Sequence, residues 1–216
     1  MQASDKISAE SYSEFLEKFQ VDVPENYNFA FDFLDKVAAE APDTPAMVHI
    51  NPNSSRRDFD MAYFSQESSR LANAFARYGI ERGDRVMVIQ YRKVEFWVTL
   101  LALQKIGAVP VPSPNLLTPH DIEFRTNYAG IKGFVVDESV AERVEEVRHK
   151  CPSMQVMVQS GGDQALYGWI LYEAIIREEE PVFEPQGGKA GGDDPLFIFF
   201  TSGTTGMPKM VEHTHN

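Results

Sequence analysis

The spacing of apolar residues predicts two helices and a pair of short strands at the start of the chain. Each helix is indicated by an apolar stripe, and Pro42 closes the second one. The stripes consist of Phe15, Leu16 and Phe19, and then of Phe29, Phe33, Leu34 and Val37. Strand-like runs follow at 46–50 and around Phe59. We therefore interpret residues 1–60 as a helical lead-in with small strands.

A regular alternation of helices and strands is predicted after this lead-in. Apolar residues recur at intervals of three and four from Phe64 to Tyr78, as in an amphipathic helix, and Gly79 supplies its C-terminal stop. From Arg85 onward, strand-like runs alternate with helical patterns. The runs begin near Val86, Val109, Phe134 and Gln155. This order is typical of βαβ units in a parallel sheet, so residues 61–160 predict an α/β fold.

Glycine and proline define the limits of two of these elements. The helix predicted at 94–106 is apolar nearly all round, so it should be buried, and Gly107 ends it. Pro110 and Pro112 do not suit a central strand, because proline has no N–H to donate to a neighbouring strand. The strand near Val109 should therefore be short or lie at an edge of the sheet.

The next two helices are indicated by a start signal and by an apolar stripe. Thr118, Pro119 and Asp121 provide a threonine cap, a proline at the first helical position and an acid at the third. The following helix continues until Pro152. Its stripe consists of Val140, Val144 and Val147.

A loop–helix–loop segment, residues 161–194, is predicted to lead to a final strand, and its helix is expected at 169–179. The strand at 196–200 is apolar on both faces, so we expect it to need cover on both sides, as in a doubly wound sheet. Part of that cover is expected from sequence after Asn216. The loop that follows the strand is accordingly expected to be held at one end only.

The stretch 201–209, which reads TSGTTGMPK, carries the candidate chemistry. Glycines allow a backbone to approach phosphate closely, hydroxyl and amide groups donate to its oxygens, and a lysine neutralises its charge. The candidate phosphate-binding residues are Thr201, Ser202, Gly203, Thr204, Thr205, Gly206 and Lys209. The spacing differs from the Walker A loop, because Pro208 precedes the lysine and Met210 follows it, and it differs from G-x-G-x-x-G. The alternative is a surface loop with a solvated lysine.

A family resemblance becomes specific at this loop. The string FFTSGTTGMPKMVEHTH resembles the phosphate-binding signature of the adenylate-forming enzymes, which include acyl-CoA synthetases, luciferases and the adenylation domains of peptide synthetases. The segments at 27–51, 70–89 and 94–114 are similar to the medium-chain, acetyl-CoA synthetase-like branch of acyl-CoA synthetases. Residues 1–216 would then form a partial N-terminal AMP-binding domain, which ends with the strand and phosphate-binding loop at 195–216.

The resemblance implies an AMP-forming acid–thiol ligase of fatty acid metabolism. Such an enzyme uses ATP and Mg²⁺ to activate a short- or medium-chain carboxylic acid as an acyl-adenylate, releases pyrophosphate, and transfers the acyl group to coenzyme A. Residues 201–206 and Lys209 would hold the β- and γ-phosphates, with Lys209 as the catalytic residue, because charge develops on the departing oxygens. Pro208 would stiffen the loop.

Two alternatives to this function stay open. Family members are considerably longer, and the resemblance places the adenine, ribose and Mg²⁺ contacts and a second catalytic lysine after Asn216. The chain is therefore expected to be inactive alone, and the first alternative is a non-catalytic phosphate- or nucleotide-binding fragment or module. The second alternative is an aryl-acid CoA ligase of the same superfamily. The chain length of the acid and the oligomeric state stay open as well.

Composition and charge limit the binding partners, the disulfide content and the cellular location that we expect for the chain. The chain has 216 residues, is 43% hydrophobic, and carries a net charge of −12, which argues against binding to nucleic acid or to anionic membranes. Cys151 is the single cysteine, so a disulfide within the chain is impossible and we interpret this residue as structural. No apolar run approaches the length of a membrane span, and the acidic N-terminus does not resemble a signal or transit peptide. We expect a cytoplasmic protein.

Two further groups of polar residues have both a functional and a simple interpretation. His213 and His215 lie beside Glu212 and suggest a metal site, but a strand with one solvated face is the favoured interpretation. Arg92 and Lys93 follow the strand near Val86, at the sheet edge where α/β proteins bind ligands. A contact with a nucleotide or coenzyme A is possible there, although solvated charges at a helix start are favoured.

Overall fold

The computed structural model of the protein describes residues 9–19, 24–202 and 206–216. Its α-helices are α1 (Tyr12–Lys18), α2 (Lys36–Glu40), α3 (Met61–Arg77), α4 (Val94–Ile106), α5 (Pro119–Ala129), α6 (Glu138–Val147) and α7 (Tyr172–Ile175). A π-helical turn (Ala30–Asp35) precedes α2, and 3₁₀ turns follow α6 (Arg148–Lys150) and α7 (Ile176–Glu178). The strands are β1 (Pro45–Ile50), β2 (Arg56–Asp60), β3 (Arg85–Ile89), β4 (Val109–Pro112), β5 (Gly133–Asp137), β6 (Val156–Ser160), β7 (Ile170–Leu171), β8 (Pro195–Thr201) and β9 (Lys209–Thr214).

A five-stranded parallel sheet forms the centre of the fold. Its strand order is β4-β3-β5-β6-β7, so the chain leaves β3 first to one side and then to the other. This is the doubly wound arrangement of α/β proteins, and it confirms the predicted fold class and the four predicted strand positions. Two antiparallel pairs, β1–β2 and β8–β9, stand outside this sheet.

Helices cover both faces of the sheet, and for this reason its central strands are apolar over most of their length. Along β3, Val86 and Val88 lie in one core with residues of α3 and α4. The intervening Met87 and Ile89 lie in a second core with residues of α5 and α6. All four side chains are at most 1% exposed. Helix α4 has its predicted bounds and is mostly buried, although Trp97 is 50% exposed.

Strand β4 lies at an edge of the parallel sheet, as its prolines predicted. The N–H groups of Val109 and Ser113 donate to carbonyl oxygens of Asp84 and Val88, so alternate residues of β4 point their N–H groups toward β3. The two prolines between them, at 110 and 112, occupy the positions that face the outer edge. That edge therefore offers no N–H group from either proline to a further strand.

The strand at 196–200 does not join the parallel sheet, which corrects the expectation drawn from its apolar composition. Strand β8 pairs with β9 in an antiparallel hairpin that packs beside β4. The outer edge of β4 cannot supply proline N–H groups, so β8 satisfies its own backbone groups with β9 instead. The expectation of a loop held at one end is also wrong, because strands enter and leave it.

The helix predicted at 169–179 was partly wrong. Ile170 and Leu171 form the short strand β7, which pairs with Val158 and Gln159 of β6. The α-helix that follows, α7, is a single turn and continues as a 3₁₀ turn. Pairing with the exposed edge of β6 satisfies backbone groups that an isolated short helix would leave to water, so tertiary context overrides local helix preference here.

The predicted start of α5 is confirmed as a complete capping box. The Thr118 hydroxyl oxygen accepts from the Asp121 N–H at 3.2 Å, and the Asp121 carboxylate accepts from the Thr118 N–H at 3.0 Å. Gly130 ends the same helix in the left-handed region at φ 60°. Helix α5 is therefore fixed at both ends by local sequence.

Replacing Thr118 with alanine should lower the free energy of unfolding by about 1 kcal/mol, because the cap to the first turn of α5 is lost. Urea denaturation followed by circular dichroism measures this loss. Thr118→Ser is the matched control, since it keeps the hydroxyl and should stay close to the parent protein. Equal losses in both variants would show that the threonine methyl group, and not the cap, provides the stabilisation.

One buried ion pair ties α3, α4 and the π-helical turn together. The Lys105 side chain is fully buried, and its Nζ atom donates to Asp35 Oδ1 at 2.8 Å. The same Nζ atom donates to the Ser65 carbonyl at 3.0 Å and to Ser69 Oγ at 2.7 Å. Burial lowers the pKa of Lys105, although the Asp35 carboxylate opposes this effect. Three bonds thus compensate a charge that has no access to water.

Candidate functional site

The β8–β9 hairpin carries the predicted phosphate-binding loop. Its register places Thr201 opposite Lys209, and inward from this pair Phe200 faces Met210 and Phe199 faces Val211. Residues 202–208 connect the two strands. The first and last candidate residues are therefore cross-strand neighbours at the mouth of the loop, although they lie eight positions apart in the sequence.

The candidate residues that the structure describes face solvent. Thr201, Ser202, Gly206 and Lys209 are exposed, and Lys209 forms no ion pair with any residue in the described ranges. Gly206 has a φ angle of 108°, which residues with a Cβ atom rarely adopt. The remaining candidates, Gly203, Thr204 and Thr205, lie outside the described residues. The described part of the hairpin thus exposes two hydroxyls and one ammonium group to solvent around the mouth of the loop.

Aromatic packing fixes the strand that enters the loop. Ile198 is fully buried against the second core, and Phe200 packs on the same core. The guanidinium of Arg125 lies 4.9 Å from the centre of the Phe200 ring, and Tyr128 meets that ring edge to face at 6.3 Å. Helix α5 therefore holds the residue directly before Thr201.

The far end of the hairpin is fixed through Asp194. Its carboxylate accepts from the Gly191 N–H at 2.9 Å and from Arg82 at 2.6 Å, and its carbonyl accepts from the His215 N–H at 3.2 Å. The bond from Gly191 and the Arg82 guanidinium hold the pKa of Asp194 below its usual value. A side chain at Gly191 would place its Cβ 2.5 Å from the Asn26 carbonyl oxygen, so this close backbone approach requires glycine.

The two histidines near the end of the chain lie in β9 or directly after it, in line with the favoured interpretation as part of a strand. His213 lies in β9 opposite Phe197, and its ring meets the Phe199 ring edge to face at 5.6 Å. His215 follows the strand, and its partial burial lowers the pKa of its imidazole. His213 therefore serves the hairpin through strand pairing and ring packing, and His215 through the bond from its N–H to the Asp194 carbonyl.

A second polar site lies at the carboxyl end of β3. A cavity of about 850 Å³ opens there, lined by residues of the β1–β2 pair, by the turn after β3 and by the segment after β4. Gln90, Arg92 and Lys93 line it, and the Arg92 carbonyl lies 3.0 Å from Nε2 of His49, which also lines it. The cavity lies at the carboxyl ends of β3 and β4, the side of the sheet on which doubly wound proteins bind their ligands.

Lys93 is held in this crevice by an acid from the neighbouring strand. Its Nζ atom lies 2.6 Å from Oδ2 of Asp137, whose side chain is 5% exposed. Burial opposes the charge on Lys93, but the Asp137 carboxylate outweighs burial and raises the pKa of the lysine. Lys93 lies at the N-terminal cap of α4 and its side chain is 37% exposed, in line with the favoured interpretation as a helix-start charge. The sequence did not reveal that this ammonium group also pairs with Asp137 at the end of β5.

Sequence reasoning missed Gln90 as a member of this crevice. Its side chain is 9% exposed, its Nε2 atom donates to Ser160 Oγ at 3.0 Å, and its Oε1 atom has no hydrogen-bond partner in the described part of the chain. A polar residue placed directly after the apolar run of β3 was the available signal. The wall of the crevice thus contains a buried acceptor without a partner, and Arg92 lines the same cavity.

Most of the chain matches one known protein family. A family model described as AMP-binding enzyme matches residues 34–216, which is most of the sequence. The chain belongs to the AMP-binding enzyme family. The predicted recognition of the adenylate-forming superfamily, made from the loop at 201–209, is thereby confirmed.

Similar proteins of known name are acyl-CoA and aryl-CoA ligases. Human mitochondrial acyl-coenzyme A synthetase ACSM5 is 32% identical over 200 residues, which cover 90% of this chain and 34% of the relative. The inhibitor-bound N-terminal domain of FACL13 from Mycobacterium tuberculosis has a TM-score of 0.73 and 27% identity, over 87% of this chain and 44% of that chain. The anthranilate CoA ligase AuaEII, solved with anthranoyl-AMP, has a TM-score of 0.77 over 90% of this chain and 36% of that chain; its 23% identity supports the fold alone.

This AMP-binding family member spans about a third of the length of the curated relatives it matches. Those relatives are named as mitochondrial proteins, so the expected cytoplasmic location stays a prediction. Within the described residues, no helix combines the length and the apolar character that crossing a membrane requires.

Proposed function

We propose that this chain forms the phosphate-binding part of an AMP-forming acyl-CoA ligase. The observation that carries the proposal is the pairing of Thr201 with Lys209 at the mouth of an anchored, solvent-facing hairpin. The sequence between them has the family's signature, and the family match covers both strands. A short- or medium-chain carboxylic acid is the proposed substrate, since the relatives include acyl-coenzyme A synthetases of the ACSM group.

The hairpin residues would act on the phosphates of ATP by charge and by hydrogen bonds. Lys209 is exposed and unpaired among the described residues, so its ammonium group is available to phosphate oxygens. Thr201 and Ser202 add hydroxyl donors, and Gly206 lets the backbone approach a ligand closely. These groups would stabilise the negative charge that builds on pyrophosphate as the acid attacks the α-phosphorus. Gly203, Thr204 and Thr205 are proposed to take part by resemblance.

Mg²⁺ and coenzyme A have different relations to the described residues. Mg²⁺ prefers oxygen ligands, and nucleotide phosphates can supply them, so the hydroxyl-rich hairpin fits a nucleotide that brings its own Mg²⁺. The ion would neutralise phosphate charge when bound. For coenzyme A we propose the crevice after β3, where Arg92 and the unpaired Gln90 acceptor line one cavity. The crevice suits a polar, anionic part of that substrate.

An aryl acid is the second candidate substrate. It stays open as an alternative, because the similarity to an anthranilate CoA ligase supports the fold and does not distinguish between the two classes of acid. In the alternative of a non-catalytic module, the same hairpin would bind a nucleotide without turnover.

Titration of ATP·Mg²⁺ into the ¹⁵N-labelled 216-residue chain should shift the amide signals of Thr201, Ser202 and Lys209 more than those of other residues. One ammonium and two hydroxyls provide about 4 kcal/mol, which corresponds to a dissociation constant of about 1 mM. The same titration with coenzyme A should move signals of Arg92 and its neighbours. Shifts that spare the hairpin at saturating ATP would contradict the proposed phosphate site.

A further inference from the structure

A second cavity, unconnected with the phosphate loop, lies on the face of α4. It is an open cavity of about 270 Å³, lined by α4, the π-helical turn, the β1–β2 pair, the start of α3 and the start of β8. The residues that line it are almost entirely apolar and include Phe33, Met47, Trp97 and Phe197. An apolar cavity of 150 Å³ accommodates a benzene molecule, so this one has room for a ligand of about ten non-hydrogen atoms.

A single polar side chain lies in the wall of this cavity. Gln104 is 6% exposed, and its Oε1 atom has no hydrogen-bond partner among the described residues. Its backbone carbonyl accepts a hydrogen bond from Asn28 Nδ2 at 3.1 Å. This bond holds the backbone of Gln104 in place but does not involve its side-chain amide. A buried amide without a partner costs about 1–3 kcal/mol. A ligand that pairs with it would recover part of that cost.

The lining excludes a charged ligand. No lysine, arginine, histidine, aspartate or glutamate is among the residues that line the cavity. Transfer of an ion into such a site is unfavourable without a partner of opposite charge. A primary amide matches the glutamine side chain because each amide has both a donor and an acceptor. Rotation of the terminal torsion of Gln104 can present either atom, since that torsion is soft.

We propose that the cavity on α4 binds a neutral amphiphile, a molecule with an apolar body and an amide-like head that pairs with Gln104. The head would lie at the glutamine, and the body would lie against Trp97 and the phenylalanines. This site involves none of the residues assigned to ATP or coenzyme A. The inference therefore does not rest on the proposed ligase function.

Fluorescence of Trp97 provides the test in the full 216-residue chain. Trp97 lines the cavity and is half exposed, whereas Trp169, the other tryptophan, is buried in the second core with its indole N–H bonded to Glu145. The probes are octanamide, methyl heptanoate and octanoate, which have about ten non-hydrogen atoms each. Octanamide should bind about three- to tenfold more tightly than methyl heptanoate, which cannot donate, and octanoate should bind weakest at neutral pH.

Two variants separate the amide contact from simple apolar binding. Gln104→Leu removes the unpaired amide without leaving a large void, so the protein should stay folded and the preference for octanamide over the ester should disappear. Ala46→Phe fills the rim of the cavity and should weaken all three probes at least tenfold. Ala39→Phe, an identical change at an exposed position of α2, is the control and should leave binding unchanged. The proposal is overturned if the Trp97 signal does not saturate, or if Gln104→Leu retains the octanamide preference.

Discussion

Replacement of Lys209 with alanine should reduce the rate of acyl-adenylate formation by about 10²-fold in a protein that joins this chain to the rest of the family's length. The expectation follows from the position of Lys209 opposite Thr201, exposed and unpaired among the described residues. Removal of one group that stabilises developing charge typically costs about 10²–10³ in rate. Acid-dependent exchange between ATP and pyrophosphate measures this half-reaction directly.

The second half-reaction distinguishes a catalytic lysine from a structural one. Transfer to coenzyme A from a supplied acyl-adenylate should be much less affected, because pyrophosphate has left before that step. Lys189→Ala is a useful control, since Lys189 pairs with Asp32 away from the hairpin loop. The 216-residue chain alone should give only background exchange. An equal decrease in both half-reactions of Lys209→Ala would assign the lysine a structural role.

Asp35→Asn should destabilise the fold by about 3 kcal/mol at neutral pH. The substitution keeps the shape of the side chain but leaves the Lys105 ammonium, which is fully buried, without its carboxylate. Removing one partner of a buried ion pair is costly because the other charge is left uncompensated. Glu123→Gln is the matched control, since it removes the partner of Lys150, which is 51% exposed, and should cost at most about 1 kcal/mol.

The pH dependence of this variant has a definite sign. The pKa of Lys105 in the folded protein is already below its ordinary value of 10.5 because the ammonium is buried, and loss of Asp35 should lower it further. Between the folded and unfolded pKa values the unfolded chain binds more protons, so stability rises with pH. The deficit of Asp35→Asn should therefore shrink as pH rises toward 10.5. Urea denaturation at several pH values measures it, and a deficit independent of pH would contradict the assignment to Lys105.

Local signals in the sequence account for much of the fold. Helix α4 was predicted with its observed bounds, because Gly107 marks its end and its apolar residues are continuous. The capping box at Thr118 was readable from three residues, and Pro110 and Pro112 placed β4 at an edge. In each case the interaction that decides the structure joins residues close in sequence.

Contacts between distant residues could not be predicted in this way. The Lys93–Asp137 and Lys105–Asp35 pairs join different elements, and surface charges give the same sequence pattern. The structural setting of the candidate loop could be predicted only in part, for a related reason. The loop at 201–209 has a distinctive sequence, but the strands on its two sides pair across residues 202–208. That segment does not contain the Asn-Gly or Asp-Gly signal of a short two-residue hairpin turn, so the sequence did not predict the pairing.

The prolines of β4 also bear on how independently the β8–β9 hairpin can move. No backbone ladder joins β8 to the parallel sheet in the described residues, so the hairpin is held there by side chains such as Ile198 and Phe200. Its amide protons are protected by partners within the hairpin alone. We therefore expect the hairpin to open as a separate cooperative unit, at a lower free energy than the sheet, while the central strands stay closed. Nucleotide occupancy would then be linked energetically to a local opening equilibrium and not to global unfolding.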